Sequence, residues 1–514
     1  MTNIDTRSVT VQPMDQYNQT LVANLHPSNW VNPKPASRYN LVVIGAGTAG
    51  LVTAAGAALV GAKVALIEKH LMGGDCTNTG CVPSKTLIRS ARAVADVHQA
   101  HRFGVSVPDG THVDFAAVME RLRQVRATIS KNDSVQRFCE MGVDVFLGQA
   151  HFSGSDTVEV AGQSLRFKKA VIATGSRAAQ LPIEGLAESG YLTNETVFSL
   201  TECPKRLSII GGGYIGCELA QTFRRLGAEV ILLQKGSRLL ASADADAAQI
   251  IQRQFEQEDI QVVLDAKTTR IERHGAEKRI YYQRNGHEET IVVDELLVAA
   301  GRSPNIDGLN LEAVGVNTDS KKGVLVNEFL QTSNPRIYAV GDVCMSQKFT
   351  HAADAAARRV VRNALFSPLG IGRQKLSQLV IPWCAYTDPE IAHVGLSDRA
   401  IQQQADQVET LFVSLDDVDR AIADGEIHGF AKIHLKKGSD KILGATVVAR
   451  HAGEMINEIT LAMTRNLGLG AVANTIHPYP TQAEVIRKAA DEYSFSQFTP
   501  FIKKLFSTWL QWQR

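Results

Sequence analysis

The sequence predicts an α/β protein of two Rossmann-like units, the second inserted in the first, followed by a C-terminal α+β domain. Three observations predict it. A strand–glycine turn–helix–strand pattern over residues 39–68 recurs over residues 206–234. Two further apolar runs stop at glycine, at Gly175 and Gly301, and each closes a segment that one of these turns opened. Beyond residue 381, strands alternate with helices and no glycine turn of this kind appears. The 514 residues also exceed what one core serves and suit three or four domains.

Composition narrows the class. Hydrophobic residues make up 44% and charged residues 21%, which excludes disorder, coiled coil and collagen. Lys+Arg is 54 against Asp+Glu 53, so there is no basic footprint for nucleic acid. No apolar run is long enough to span a bilayer, and the first 38 residues lack a charged-then-apolar leader pattern. Seven cysteines, an odd number, make no disulfide framework, so the expected compartment is the reducing cytoplasm.

Taken in order, residues 1–38 read as a polar arm punctuated by Pro13, Pro27, Pro33 and Pro35, with little periodicity. Residues 39–45 are a β-branched run ending at glycine, which marks a buried parallel strand. A small-residue helix over 48–60 and a strand over 63–68 complete the first βαβ unit. The second unit repeats this with a strand over 206–211, a helix over 215–226 and a strand over 229–234. The first unit then resumes near Ser303 and runs to about residue 378.

Gly45, Gly47 and Gly50 give G-x-G-x-x-G directly after a strand and at the start of a helix. The first glycine makes the turn, the second admits a pyrophosphate close to the backbone, and the third lets helix and sheet pack closely. The helix N-terminus supplies amide donors to the phosphates. Glu68, at the end of the next strand, is placed to accept from a ribose 2′-hydroxyl. Gly211, Gly213 and Gly216 repeat the motif, but Gln234 stands where the acid would be, with Lys235 and Arg238 just after it. A missing acid beside fresh cations favours a 2′-phosphate, hence NADPH, with NADH the alternative.

The stretch from Gly73 and Gly74 through Cys76 and Cys81 to Pro83 and Lys85 is the most specific in the chain. Cysteines separated by four residues are able to bridge across a helical turn, and they follow directly on the first βαβ unit. Pro83 suits a helix start and puts Cys81 near a helix N-terminus, a setting that favours the thiolate. A metal site is the weaker reading, because no second pair lies nearby and His70 alone is poorly spaced. Cys139, Cys203, Cys217, Cys344 and Cys384 have no partner at informative spacing and read as small buried hydrophobes.

Together these stretches and Gly341–Asp342 resemble the FAD-dependent pyridine nucleotide–disulfide oxidoreductases, which include lipoamide dehydrogenase, glutathione reductase and mercuric reductase. The resemblance covers about residues 39–495. It implies that the Gly45 unit binds FAD, that the Gly211 unit binds the nicotinamide cofactor, and that hydride passes through flavin to a Cys76–Cys81 disulfide. It implies domains over 39–182 and 303–378 for FAD, 183–302 for NAD(P) and 379–497 for dimerisation, with a tail over 498–514. Cys81 would be the flavin-proximal thiol and Cys76 the interchange thiol. Lys85 and Glu218 would pair beside the flavin, and Tyr214 would cover the nicotinamide pocket. Gly74, Thr174, Gly175, Gly301, Gly341 and Asp342 would complete the cofactor contacts.

The last domain departs from the disulfide reductases. Tyr479 stands where they carry the catalytic histidine, followed by Glu484. A phenol near ~10 is a poor general base at neutral pH. His477, two residues earlier, lies on the same face of an extended segment, and packing is its favoured role over substitution for that base. Tyrosine here resembles mercuric reductase, yet no cysteine follows Cys384, no N-terminal C-x-x-C domain exists, and Asp133 and Ser134 stand where a second site tyrosine is expected. The leading expectation is therefore reduction of Hg(II) or another soft electrophile, with Cys76 and Cys81 as transient metal ligands. The alternatives are a reductase of a small or protein disulfide, and a flavin electron-transfer partner docked through the tail. A homodimer is implied, because the family's Tyr479–Glu484 segment completes the partner's site. The tail puts Phe501, Ile502, Leu505, Phe506, Trp509 and Leu510 on one helical face. Docking on the body of the chain is favoured for it over a membrane surface.

Overall fold

The structure, a computed structural model, describes Val9 and residues 11–514. The chain divides into two compact units. The first takes in the described residues up to Gly211 with Thr222–Val230 and Lys267–Leu379; the second takes in Gly212–Gln221, Ile231–Ala266 and Val380–Arg514.

In the first unit, strand β1 (Tyr39–Ile44) pairs in parallel with β2 (Val64–Glu68) on one side and with Gln163–Ile172 on the other. Val43 thus faces Leu66 and Val171 across the two ladders. β3 (Asp144–Leu147) extends the sheet beyond β2, and Ile337–Ala339 pairs in parallel with the end of Gln163–Ile172. β-Branched and aromatic residues without alternation form these strands because both faces are covered. One face buries Val42, Ile44, Ile67, Phe167 and Ile172 in a continuous core. The strand Arg206–Ile210 of the second βαβ repeat also lies in this unit, parallel to Glu295–Val298.

Where the sequence suggests an unstructured arm, the residues before β1 contain a helix, α1 (Gln16–Leu25). Asp15 caps it, accepting from Tyr17 N at 3.1 Å and Asn18 N at 2.9 Å. Leu21 and Leu25 are fully buried, and the buried Asn18 accepts from Arg126 Nη2 at 2.7 Å. Two leucines one turn apart are too few to form a readable stripe, and the polar partner lies far along the chain. Residues 1–8 and 10 of the expected arm lie outside the described residues.

In the second unit, Ile231–Leu233 at the end of the strand Glu229–Leu233 pairs in parallel with Gln261–Val263. The α+β part has a five-stranded antiparallel sheet, ordered Trp383–Ala385, Glu390–Gly395, Ile442–Ala449, Phe430–Lys436, Val408–Ser414. The helices Ala452–Thr464 and Glu484–Ser496 bury Ile456, Ile459, Val485, Ile486 and Ala489 in its core. The chain then closes with the helix Pro500–Trp512, none of whose residues is buried. The expected dock of this tail on the body of the chain is therefore not made: Thr499 and Pro500 start a separate helix whose apolar face meets no core.

Candidate functional site

The first glycine turn is shaped by close approach. Gly45 has φ +101°, and a Cβ there would stand 2.4 Å from Ala173 O. A Cβ at Gly50 would stand 1.8 Å from Gly45 O, so helix α2 (Thr48–Leu59), which begins right after Gly47, sits directly on the turn. Glu68 braces the turn from β2, accepting from Ala46 N and His70 N at 2.8 Å each. A cleft of about 430 Å³, part of it open to solvent, is lined by Gly45, Glu68, Lys69, Thr174 and Asn305 among others. Glycines leave the backbone bare, a carboxylate sits at the strand end, and a helix N-terminus faces the turn. This donor set fits the adenosine and pyrophosphate of a dinucleotide.

The cysteine segment lies against that turn. Gly47 and Gly73 form an isolated parallel bridge, and a Cβ at Gly74 would stand 2.6 Å from Gly47 Cα. A short helix, α3 (Gly74–Asn78), carries Cys76, and α4 (Cys81–Gln99) has Cys81 as its first residue and Lys85 one turn on. Neither sulfur is in a disulfide; Cys76 is half-buried and Cys81 exposed, and Cys81 Sγ lies 3.3 Å from Thr350 Oγ1. The Cys76 thiol is pushed far up, chiefly because it donates to Cys81, then by burial and by negative charge at Cys81. The two sulfurs thus differ in exposure and in surroundings.

Two carboxylates that the sequence reading left without a role stand around this pair. Asp75 accepts from Thr79 Oγ1 at 2.5 Å and Asn194 Nδ2 at 2.9 Å, and it forms an ion pair with Arg302. Arg302 also donates to Ser176 Oγ at 2.7 Å, and Ser176 in turn donates to Asp342 Oδ2 at 2.6 Å. A chain of polar contacts therefore runs from the cysteine segment to Gly341–Asp342. Asp133 accepts from Thr77 Oγ1 at 2.6 Å; burial holds its carboxyl above the usual range, and its charge adds to the upward push on Cys76. Asp75 was visible inside the cysteine motif, whereas Asp133 registers in the sequence only as an absent tyrosine.

The remaining cofactor candidates of the first unit sit at turns. Thr174 Oγ1 donates to Asn305 O at 2.7 Å, and Asn305 Nδ2 returns a bond to Thr174 O at 2.9 Å. Gly175, Gly301 and Gly341 all have positive φ, and a Cβ at Gly341 would crowd Ala49. Gly211 repeats the geometry of Gly45, with φ +113° and Ala299 O only 2.7 Å from a built Cβ.

In the second unit, Gly213 opens to free space, Gly216 is buried, and Tyr214 begins the helix Tyr214–Arg225. Gln234 Oε1 accepts from Gly212 N at 2.9 Å, the counterpart of the Glu68–Ala46 bond without its charge. Lys235 is exposed, whereas Arg238 is spent on Ala241 O at 2.7 Å and Ala243 O at 3.1 Å. Tyr214 donates or accepts at Ser242 Oγ, 2.7 Å away, and its ring lies 5.1 Å from that of Trp383. Glu218 is buried and accepts from Tyr386 N at 2.9 Å.

Tyr479 is 71% exposed and donates to Asp419 Oδ2 at 2.8 Å. That bond, and then the charges of Asp419 and Glu484, hold the phenol above its ordinary range. His477 is occupied on both ring nitrogens, by Thr475 O and Glu458 Oε1, each at 2.9 Å. Glu484 begins the helix Glu484–Ser496, with a buried Oε2 that meets no hydrogen-bond partner. Among the described residues no group of three or more His, Cys, Asp or Glu is placed to hold a metal ion.

Residues 39–358 match the sequence profile of the pyridine nucleotide-disulphide oxidoreductases, and residues 381–490 match that family's dimerisation domain. Among curated proteins, a mercuric reductase of Staphylococcus aureus is 36% identical over 88% of this chain and 82% of its own. A dihydrolipoyl dehydrogenase of Mycoplasma pneumoniae is 33% identical over 90% of this chain and 99% of its own. Among solved structures, the HOCl-induced flavoprotein disulfide reductase RclA from Escherichia coli is 27% identical, with a TM-score of 0.78 over 88% of this chain and 99% of that one. Its Cu(II) complex aligns with a TM-score of 0.77, 27% identity and coverage of 87% and 98%.

Proposed function

The chain belongs to the pyridine nucleotide-disulphide oxidoreductases, flavoproteins that use FAD and NAD(P)H, and from that premise we propose that it reduces Hg(II) or another soft electrophile at Cys76 and Cys81 with electrons from NADPH. The observation that carries this reading is the inequivalent thiol pair, with Cys76 half-buried in α3 and Cys81 exposed at the N-terminus of α4. Two such sulfurs are soft ligands for a thiophilic metal ion.

FAD, when bound, relays two electrons from the nicotinamide to the cysteine pair. On this reading Gly45, Gly47, Gly50 and Glu68 hold its adenosine end, and Gly74, Thr174, Gly175, Gly301, Gly341 and Asp342 its remainder. Gly211, Gly213, Tyr214 and Gly216 receive NADPH, with Lys235 nearer to free for a 2′-phosphate than Arg238. Lys85, on α4, and Glu218, bonded to Tyr386 N, would serve the flavin side, as the family resemblance implies. Cys76 and Cys81 would ligate the metal ion as thiolates in place of the thiols that bring it, those thiols leaving with the protons that the two cysteines give up, and the two electrons that reduce the ion would come from NADPH. A phenol held above its ordinary range is a poor proton donor as well as a poor base at neutral pH, so Tyr479 suits a metal substrate better than a disulfide, whose leaving thiolate must be protonated. The relatives include named mercuric reductases, and the RclA structures include a Cu(II) complex.

A second reading, reduction of a small or protein disulfide, is favoured by the dihydrolipoyl dehydrogenase relatives and by the His477–Glu458 pair, which has the parts of a proton carrier. The test is NADPH oxidation by the purified holoprotein offered Hg(II) in excess thiol, Cu(II), glutathione disulfide or lipoamide, with Cys76→Ser as control. Cysteine-dependent turnover with a metal ion and not with a disulfide is the expected result. Turnover with a disulfide alone overturns it and makes His477 the next residue to change.

A further inference from the structure

The C-terminal helix Pro500–Trp512 is specified by its own ends rather than by packing. Thr499 caps it, accepting from Ile502 N at 3.4 Å, and Pro500 occupies the first turn, while no residue of the helix is buried. At helical spacing, Phe501, Ile502, Leu505, Phe506, Trp509 and Leu510 cover about half of the circumference, and Lys503, Lys504 and Arg514 lie outside that face. Phe501 is 75% exposed, Leu505 58% and Trp509 55%. So broad an apolar face calls for an occupant.

Three observations select it. Residues 497–514 contain three cations and no acid, which complements an anionic surface. The rings are those that settle at a headgroup boundary: Trp509 and Trp512 lie 6.2 Å apart, and Phe498 lies 6.2 Å from Phe506. The helix also lies beyond residue 490, where the match to the family's dimerisation domain ends. At about 20 Å it is too short to span a bilayer, and no described helix is long and apolar enough to cross one.

We propose that this helix binds the surface of a membrane containing anionic lipid, lying in its plane with the aromatic face toward the acyl chains. The enzyme is then a peripheral reductase held at a membrane surface through residues 498–514. The test is sedimentation of the full-length holoprotein with phosphatidylcholine vesicles, with and without about 30 mol% phosphatidylglycerol. Light scattering of the same samples reports the oligomeric state.

Wild type is expected to pellet with the anionic vesicles, about tenfold more tightly than with neutral ones. Leu505→Glu with Trp509→Glu is expected to abolish binding while leaving NADPH oxidation unchanged. Lys503→Glu with Lys504→Glu is expected to remove the preference for anionic lipid. Absence of binding by wild type, or binding that survives Leu505→Glu with Trp509→Glu, overturns the proposal. If that double variant instead splits the oligomer and wild type ignores vesicles, the face belongs to a second copy of the chain.

Discussion

Gln234→Glu isolates charge from shape. Gln234 Oε1 already accepts from Gly212 N at 2.9 Å, and the glutamate of the first unit makes the same kind of bond to Ala46 N at 2.8 Å. The bond to Gly212 N is therefore kept, and the 3.2 Å bond from Gln234 Nε2 to Arg238 O is given up, while a full negative charge arrives at the strand end. At a separation of about 6 Å and an effective dielectric of about 20, that charge repels one phosphate charge by about 3 kcal/mol. Screening by salt and water at an open site reduces this to about 2 kcal/mol, or about 30-fold. The same carboxylate gains a hydroxyl partner on NADH. We expect kcat/KM for NADPH to fall about 30-fold, mostly through KM, while that for NADH rises, so the preference inverts. The assay is steady-state reduction of ferricyanide with each nucleotide, alongside a melting curve to show that the fold is unchanged. If the ratio of the two efficiencies moves less than about threefold, Gln234 does not sit at the ribose and the assignment of NADPH fails.

Three further outcomes follow from the geometry. Asp133→Asn removes a negative charge that disfavours ionisation of Cys76, so the pH profile for alkylation of Cys76 in the reduced protein shifts to lower pH; mass spectrometry of the labelled peptide reads it, and an unmoved profile refutes the coupling. Gly50→Ala forces a Cβ onto Gly45 O, a clash worth about 3 kcal/mol or more, and the protein is expected to purify without flavin absorbance. Leu25→Ala empties a fully buried site between α1 and its neighbours and should cost about 2–5 kcal/mol in urea unfolding; a cost near zero shows that α1 is not part of the core.

Both glycine turns were legible in the sequence because their requirement is local: positive φ and backbone approach admit only glycine at Gly45 and Gly211. The cysteine segment was legible for the same reason, with Gly73, Gly74, Gly80 and Pro83 framing the thiols. What was not legible depends on distant partners. Asp133 meets Thr77 across 56 residues of chain, and Arg126 makes a buried polar residue of Asn18 acceptable from 108 residues away. The tail's amphipathic pattern was plain, but pattern alone does not say whether a core waits for it. Gln234 falls between these cases: its missing charge was visible, whereas the bond that keeps the turn in shape required coordinates.

The short ladder that pairs Ser176–Ala178 with Arg302–Pro304 has a consequence beyond the chemistry. Ala178 faces Arg302, and Ala179 N donates to Gly301 O at 3.2 Å, so two stretches far apart in the sequence lie side by side. The loop over residues 179–301 is thereby already closed at its base, so a change of its length or contents adds little further closure entropy. Insertions at its exposed turns should therefore be tolerated, provided that this ladder and the bond from Asn194 to Asp75 are kept.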